Sequence, residues 1–212
     1  MNRPLDIGLN QVKTLLIKMG RLAEESINLS LKGFFQDEDV YVQTRAWSNT
    51  LLILSEEVED RVTELMALHQ PMASDLRTLK AYIKVAYDLE RYGRYALDIS
   101  DIRNRLGEWE PLPENGFSFQ RMADVVRRCV DQSITFIETR DQSMIWELSK
   151  SESESDELYL SNLKQLWETQ ASSKTIIAYL LTIRYLERIA DHASYISESI
   201  SYAVTGKRVS IR

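Results

Sequence analysis

The phrase Leu89-Glu90-Arg91 returns as Leu186-Glu187-Arg188, 97 residues later, and Ala96, Ile99 and Ser100 return as Ala193, Ile196 and Ser197 at the same offset. No other feature restricts the fold as strongly. A constant offset marks duplication of a unit of about 100 residues. Two copies are too few for a solenoid, which needs a stack of neighbours, so two units packed about a pseudo-twofold relation are expected.

Each unit reads as three helices. Leu9, Val12, Leu16, Met19, Ala23, Ile27 and Leu31 recur at three- and four-residue steps, the spacing of one buried helical stripe. The first helix is placed at Leu5 to Phe35. "QDED" at 36–39 marks a turn and supplies acids to the next N-terminus. The second helix is placed at Glu38 to Leu68, with Val42, Ala46, Leu51, Leu54, Val58, Val62 and Leu65 inward. Pro71 suits the first turn of a third helix, which runs through Leu79, Ile83, Ala86, Leu89, Ala96 and Ile99 to Leu106. "GEWEPLPENG" at 107–116 carries two glycines and two prolines and is the one clear linker. Three more helices follow, at Ser118 to Glu138, Asp141 to Trp167 and Ser172 to Val204, with Gly206 placed to cap the last. The expected class is all-α, two pseudo-symmetric three-helix bundles. The first repeat spans 1–107, the linker 108–116 and the second repeat 117–212.

The 32 acidic residues outnumber the 26 basic ones, for a net charge of -6, which argues against nucleic acid as a partner. One cysteine, Cys129, excludes an internal disulfide and a cysteine-rich zinc site. The start has no apolar signal core and no run reaches about 18 apolar residues, so a cytoplasmic protein is expected. There is no glycine-rich phosphate loop, no G-x-S-x-G and no H-E-x-x-H, so the familiar catalytic patterns are missing.

Chemistry is sought instead in the last helix. Glu187 and Asp191 lie one turn apart, and like charges at that spacing repel unless a cation neutralises them. Carboxylates are hard donors for Mg²⁺, Ca²⁺, Mn²⁺ or iron. The fifth helix offers Glu152 and Asp156, also four apart, and four carboxylates on two antiparallel helices suffice for an ion or a small cluster. The competing reading is internal: Arg184 stands three before Glu187 and Arg188 three before Asp191, the spacing of intrahelical ion pairs. In the first repeat the counterpart of Asp191 is Arg94, four from both Glu90 and Asp98, so a salt-bridge ladder needs no metal there. Glu56 and Asp60 on the second helix complete the corresponding set, although an arginine within it opposes cation binding. His192 points about 100° from Asp191 and reads as a packing or surface residue. Cys129 follows Arg127 and Arg128, which lower a thiol pKa, or it is a small packing residue. The four tryptophans are expected in the core or at interfaces. The tyrosines of the two third helices form either a docking surface or a half-buried layer.

Several phrases, in order and at the right spacing over nearly the whole chain, resemble the PhoU family of phosphate-uptake regulators. They are "QPMASDLR" at 70–77, "DELY" at 156–159, "LERIADHASYISE" at 186–198 and the ending "VTGKRV". The resemblance implies the double three-helix fold. It implies iron- or zinc-type clusters at E/D-x-x-x-D motifs, here Glu187 and Asp191 with Glu152 and Asp156 facing. It further implies a non-enzymatic negative regulator that docks on the ATPase subunit of a phosphate ABC transporter or on a sensor kinase, reaching the membrane only through partners, and a homodimer. This sequence departs from the family pattern at Arg94, at Ser55 (usually a glutamate), at Asp98 and Tyr195 (usually asparagines), and at Ser153 and Ser155. The alternatives are a carboxylate-cluster metal protein and a ligand-free helical dimer scaffold.

Overall fold

The computed structural model describes residues 3–36, 38–112 and 118–211. Six helices account for almost all of it: α1 (Pro4–Gln36), α2 (Tyr41–His69), α3 (Ser74–Leu106), α4 (Phe119–Thr139), α5 (Ile145–Glu168) and α6 (Ser173–Thr205). A 3₁₀ turn, Gln142–Met144, precedes α5. Among the described residues there is no strand. Among the described residues no helix is long and apolar enough to cross a membrane.

The helix ends follow local chemistry. Asp39 Oδ1 accepts the Tyr41 amide at 3.1 Å, so an acid of "QDED" does serve the start of α2; Asp37 lies outside the described residues. Gln70, in the left-handed region at φ 46°, ends α2. Pro71 does not open α3 as expected. It stays in the connection, and Ala73 at φ 49° leads into a helix that starts at Ser74. Gly206, at φ 72°, caps α6 through its amide on the Tyr202 carbonyl, a conformation that costs glycine little.

Helices α1, α2 and α3 pack on one another, as do α4, α5 and α6. The two groups join where α3 lies along α6 and α1 meets α4. One continuous apolar core results, running from Leu16, Met19 and Ile27 through Leu89 and Tyr92 to Ile134, Ile183 and Leu186. The linker is pinned at its described end. Trp109 packs on Phe34 with ring centroids 5.2 Å apart, and the Leu112 amide donates to Tyr179 Oη at 3.1 Å. Residues 113–116 of the expected linker, and residue 117 at the start of the second repeat, lie outside the described residues.

The α2 inner face differs from expectation. Val42, 78% exposed, and Ala46 face outward, whereas Thr44, Ser48 and Ser55 are buried beside Leu51, Val58 and Val62. The Thr44 hydroxyl is satisfied where it stands. Thr44 Oγ1 donates to a helix carbonyl and lies 2.6 Å from Ser100 Oγ on α3. Small side chains let α2 approach α3 closely; a Cβ on Gly93 would collide with Leu51 Cδ1.

Candidate functional site on the α5–α6 face and the α3–α6 crossing

Helical spacing brings Glu187 and Asp191 onto one side of α6 beside the core residues Ile183, Leu186 and Ala190. Their side chains are largely withdrawn from water, at 14% and 8% exposure. Arg184 Nη1 donates to both carboxylate oxygens of Glu187 at 2.8 Å. Arg188 Nη1 donates to Asp191 Oδ2 at 3.1 Å and its Nε lies 3.8 Å from Glu187. Burial and the neighbouring Asp191 push the Glu187 carboxyl above the usual range; Arg184 and Arg188 pull it back, and Asp156 adds a smaller push. The charge of Asp156 thus reaches this face from α5, although its side chain is exposed.

Glu152 is placed differently. It is buried, and its charge is felt at Cys129 on α4, where burial pushes the thiol up to about 12 against the pull of Arg128. Cys129 is therefore a packing residue rather than a thiolate. The four carboxylates proposed as a metal set do not converge as one group. Among the described residues no three His, Cys, Asp or Glu side chains stand close enough together to hold a metal ion. A metal cluster of the kind implied by the sequence resemblance needs anionic donors turned to one point. Here Glu187 and Asp191 are turned to the guanidinium groups of Arg184 and Arg188, while Glu152 lies buried and Asp156 is exposed.

The first repeat gives the same answer with other residues. Glu56 and Asp60 are exposed on α2. Arg94 Nε stands 3.9 Å from Asp98. Burial raises Glu90 and Asp98, and Arg91 and Arg94 lower both. The ladder around Arg94 is present in electrostatic form, closed tightly at neither end.

Sequence reasoning missed one polar contact altogether. His192 is buried, and its Nδ1 lies 2.8 Å from Oδ1 of Asp88 on α3. The rings of Tyr95 and Tyr195 lie 5.6 and 5.3 Å from it. Asp88 Oδ2 is buried without a hydrogen-bond partner among the described residues. Burial pushes the Asp88 carboxyl upward, opposed by His192 and more weakly by Lys84. The 97-residue offset contained the clue. It maps Asp88 onto Tyr185 and Tyr95 onto His192, and the mate of the Asp88–His192 contact is a Tyr95–Tyr185 stack, 6.1 Å between centroids at 28°. The crossing thus carries a polar pair on one side of the pseudo-axis and an aromatic pair on the other.

Two helix triplets, a duplicated third-helix phrase and a face of arginine-held carboxylates define an all-α, two-repeat helical protein. The PhoU domain matches residues 16–102 and again 119–200, so the chain belongs to the PhoU family. It is 30% identical over 208 residues to a phosphate-specific transport system accessory protein PhoU homologue of Synechocystis, covering 94% of this chain and 91% of that one. A homologue of the same description from Clostridium acetobutylicum is 28% identical, over 96% and 95% of the two chains. The crystal structure of the phosphate transport system regulatory protein PhoU from Streptococcus pneumoniae superposes with a TM-score of 0.88, at 22% identity, covering 97% of this chain and 99% of that one. PhoU from Pseudomonas aeruginosa gives 0.86 at 24% identity, covering 95% and 99%. The all-α double-bundle architecture is that of these structures.

Proposed function

We propose that the chain is a cytoplasmic, non-enzymatic negative regulator of phosphate uptake that docks on the ATPase subunit of a phosphate ABC transporter, and through it or beside it on a sensor kinase. The observation that carries this reading is the match of both repeats to the PhoU domain, joined to relatives named as accessory proteins of the phosphate-specific transport system over more than nine-tenths of both chains. The surface supports it. Trp146 and Trp167 on α5 are 71% and 90% exposed, and Leu160 projects between them on the same side. In the first repeat Val42 and Ile53 project from α2, the pseudo-equivalent helix. Tryptophan is enriched where partners bury it, so these outward side chains are suited to be the energetic centre of a docking face.

The test is co-purification of the transporter ATPase with the full chain, from phosphate-replete and phosphate-starved cells, alongside a Trp146→Ser/Trp167→Ser variant. Capture by the wild type and loss in the variant is expected. Failure to capture the ATPase in either state overturns the reading. A homodimer is part of the proposal, and sedimentation of the two proteins separates self-association through these tryptophans from docking on the transporter.

A further inference from the structure

The C-terminal segment does not simply trail from α6. Ile211 is buried; its amide donates to Glu198 Oε1 at 3.0 Å and its carbonyl accepts Ser149 Oγ at 3.0 Å. This strap turns the basic ending "GKRV" back over the end of the molecule. Arg208 and Val209 thereby become one wall of a groove of about 630 Å³, whose other walls come from α2, α3 and the last turns of α6.

The groove has an unusual charge for this chain. Lys80 and Lys84 on α3 and Arg208 on the strap all line it. Among the described residues none of the three has an ion-pair partner; Lys84 Nζ lies over the Tyr195 ring at 5.9 Å and the Arg208 guanidinium over Tyr202 at 5.5 Å. Lys80 and Lys84 are a like-charge pair one turn apart, which costs helix stability; the Asp88 carboxyl, one turn beyond Lys84, offsets only part of that charge. In a protein of net charge -6, three such cations around one groove amount to a local reversal of sign. Tyr87, 53% exposed, and Tyr202 add aromatic surface to the same walls. Glu59 and Glu198 also line the groove. They are acceptors for hydroxyl groups and repel further negative charge.

We propose that this groove binds a nucleoside phosphate with a single anionic end. The phosphate is held by Lys80, Lys84 and Arg208, the base lies against tyrosine, and the sugar hydroxyls donate to a glutamate. Each part of the ligand answers a feature that the docking function leaves unused. The volume lies within the roughly 300–1,000 Å³ usual for small-ligand pockets. Stacking of bases on aromatic side chains is a general source of affinity and needs no sequence motif.

The test is isothermal titration of the full chain with AMP, and with adenosine and inorganic phosphate as the two half-ligands. AMP is expected to bind one to one and more tightly than either half. Lys80→Gln, Arg208→Gln and Tyr87→Ser are each expected to weaken it about tenfold, the loss of one charge-assisted hydrogen bond or one stacking contact. Lys164→Gln, an exposed lysine on α5, should leave binding unchanged. All four sites are exposed, and unchanged melting temperatures verify the fold. Phosphate binding as tightly as AMP overturns the proposal, as does AMP binding indifferent to all three groove variants, or no heat with AMP at millimolar concentration.

Discussion

Replacing His192 by leucine isolates what the α3–α6 crossing contributes. Asp88 is 2% exposed and its Oδ1 bonds the imidazole at 2.8 Å. Removing one member of a buried charged or hydrogen-bonded pair costs about 3–5 kcal/mol, because the other is left desolvated. Asp88 has an escape, since burial already raises its pKa and it can take a proton. The expected loss is therefore at the low end, about 3 kcal/mol, or roughly 6–12 °C in Tm for a chain of this size. Asp88→Leu/His192→Leu removes both polar groups and should lie within about 1 kcal/mol of the wild type, giving a coupling energy of about 2–3 kcal/mol. The assay is urea denaturation of all four proteins followed by far-ultraviolet circular dichroism. The pH dependence has a definite sign. A carboxyl whose folded pKa is raised adds stability below its unfolded value and loses it as pH rises through the folded one. His192 is among the groups that pull Asp88 down, so its removal raises the folded value further. The deficit of His192→Leu should therefore shrink on acidification from pH 7.5 toward 5. A loss under about 1 kcal/mol, with no coupling in the cycle, would refute the claim that this pair locks the crossing.

Three further outcomes follow from the structure. Glu187 has a raised folded pKa, from burial and Asp191 against Arg184 and Arg188, so wild-type Tm should gain on Glu187→Gln as pH falls from 7 through the folded value; a parallel pair of pH profiles would contradict this. Elemental analysis should find no stoichiometric metal and chelation should leave Tm unchanged, because Arg184 and Arg188 already hold Glu187 and Asp191; one or more equivalents of iron or zinc, lost in both Glu187→Ala and Asp191→Ala, would show a metal site instead. Gly93→Ala should destabilise by about 1–3 kcal/mol through collision with Leu51, and by much less in a Leu51→Ala background, a non-additivity that thermal melts of the four proteins would reveal.

The six helices were legible because stripes of apolar residues are long and their stops are chemically plain; Gly206 caps α6 as its position in the sequence implies. The inner face of α2 was less legible. An apolar stripe reading takes hydroxyls for solvent-facing groups, yet Thr44, Ser48 and Ser55 are inside: all three are small, and Thr44 bonds its own helix carbonyl. At the carboxylate face, Arg184 and Arg188 were visible as spacing, and the structure shows both of them on the acids that spacing pairs them with. Glu152 could not be placed from spacing alone: one turn from Asp156, it turns toward the core while Asp156 meets solvent. His192 and Asp88 stand 104 residues apart, and neither is apolar nor part of a known catalytic pattern. Only the repeat offset, applied to the helix crossing rather than to the matching phrase, pointed at them.

The unequal crossing limits how the two halves can be exchanged. A chain assembled from two copies of the first repeat would set an aspartate against a tyrosine on both sides of the axis, and one from two copies of the second would set a tyrosine against a histidine twice. Neither hybrid recovers the Asp88–His192 bond or the Tyr95–Tyr185 stack. The present halves are thus complementary rather than interchangeable, like a plug and its socket descended from one casting. Separately expressed halves should seek each other in preference to themselves, and the ancestral symmetric pairing is no longer open to this sequence.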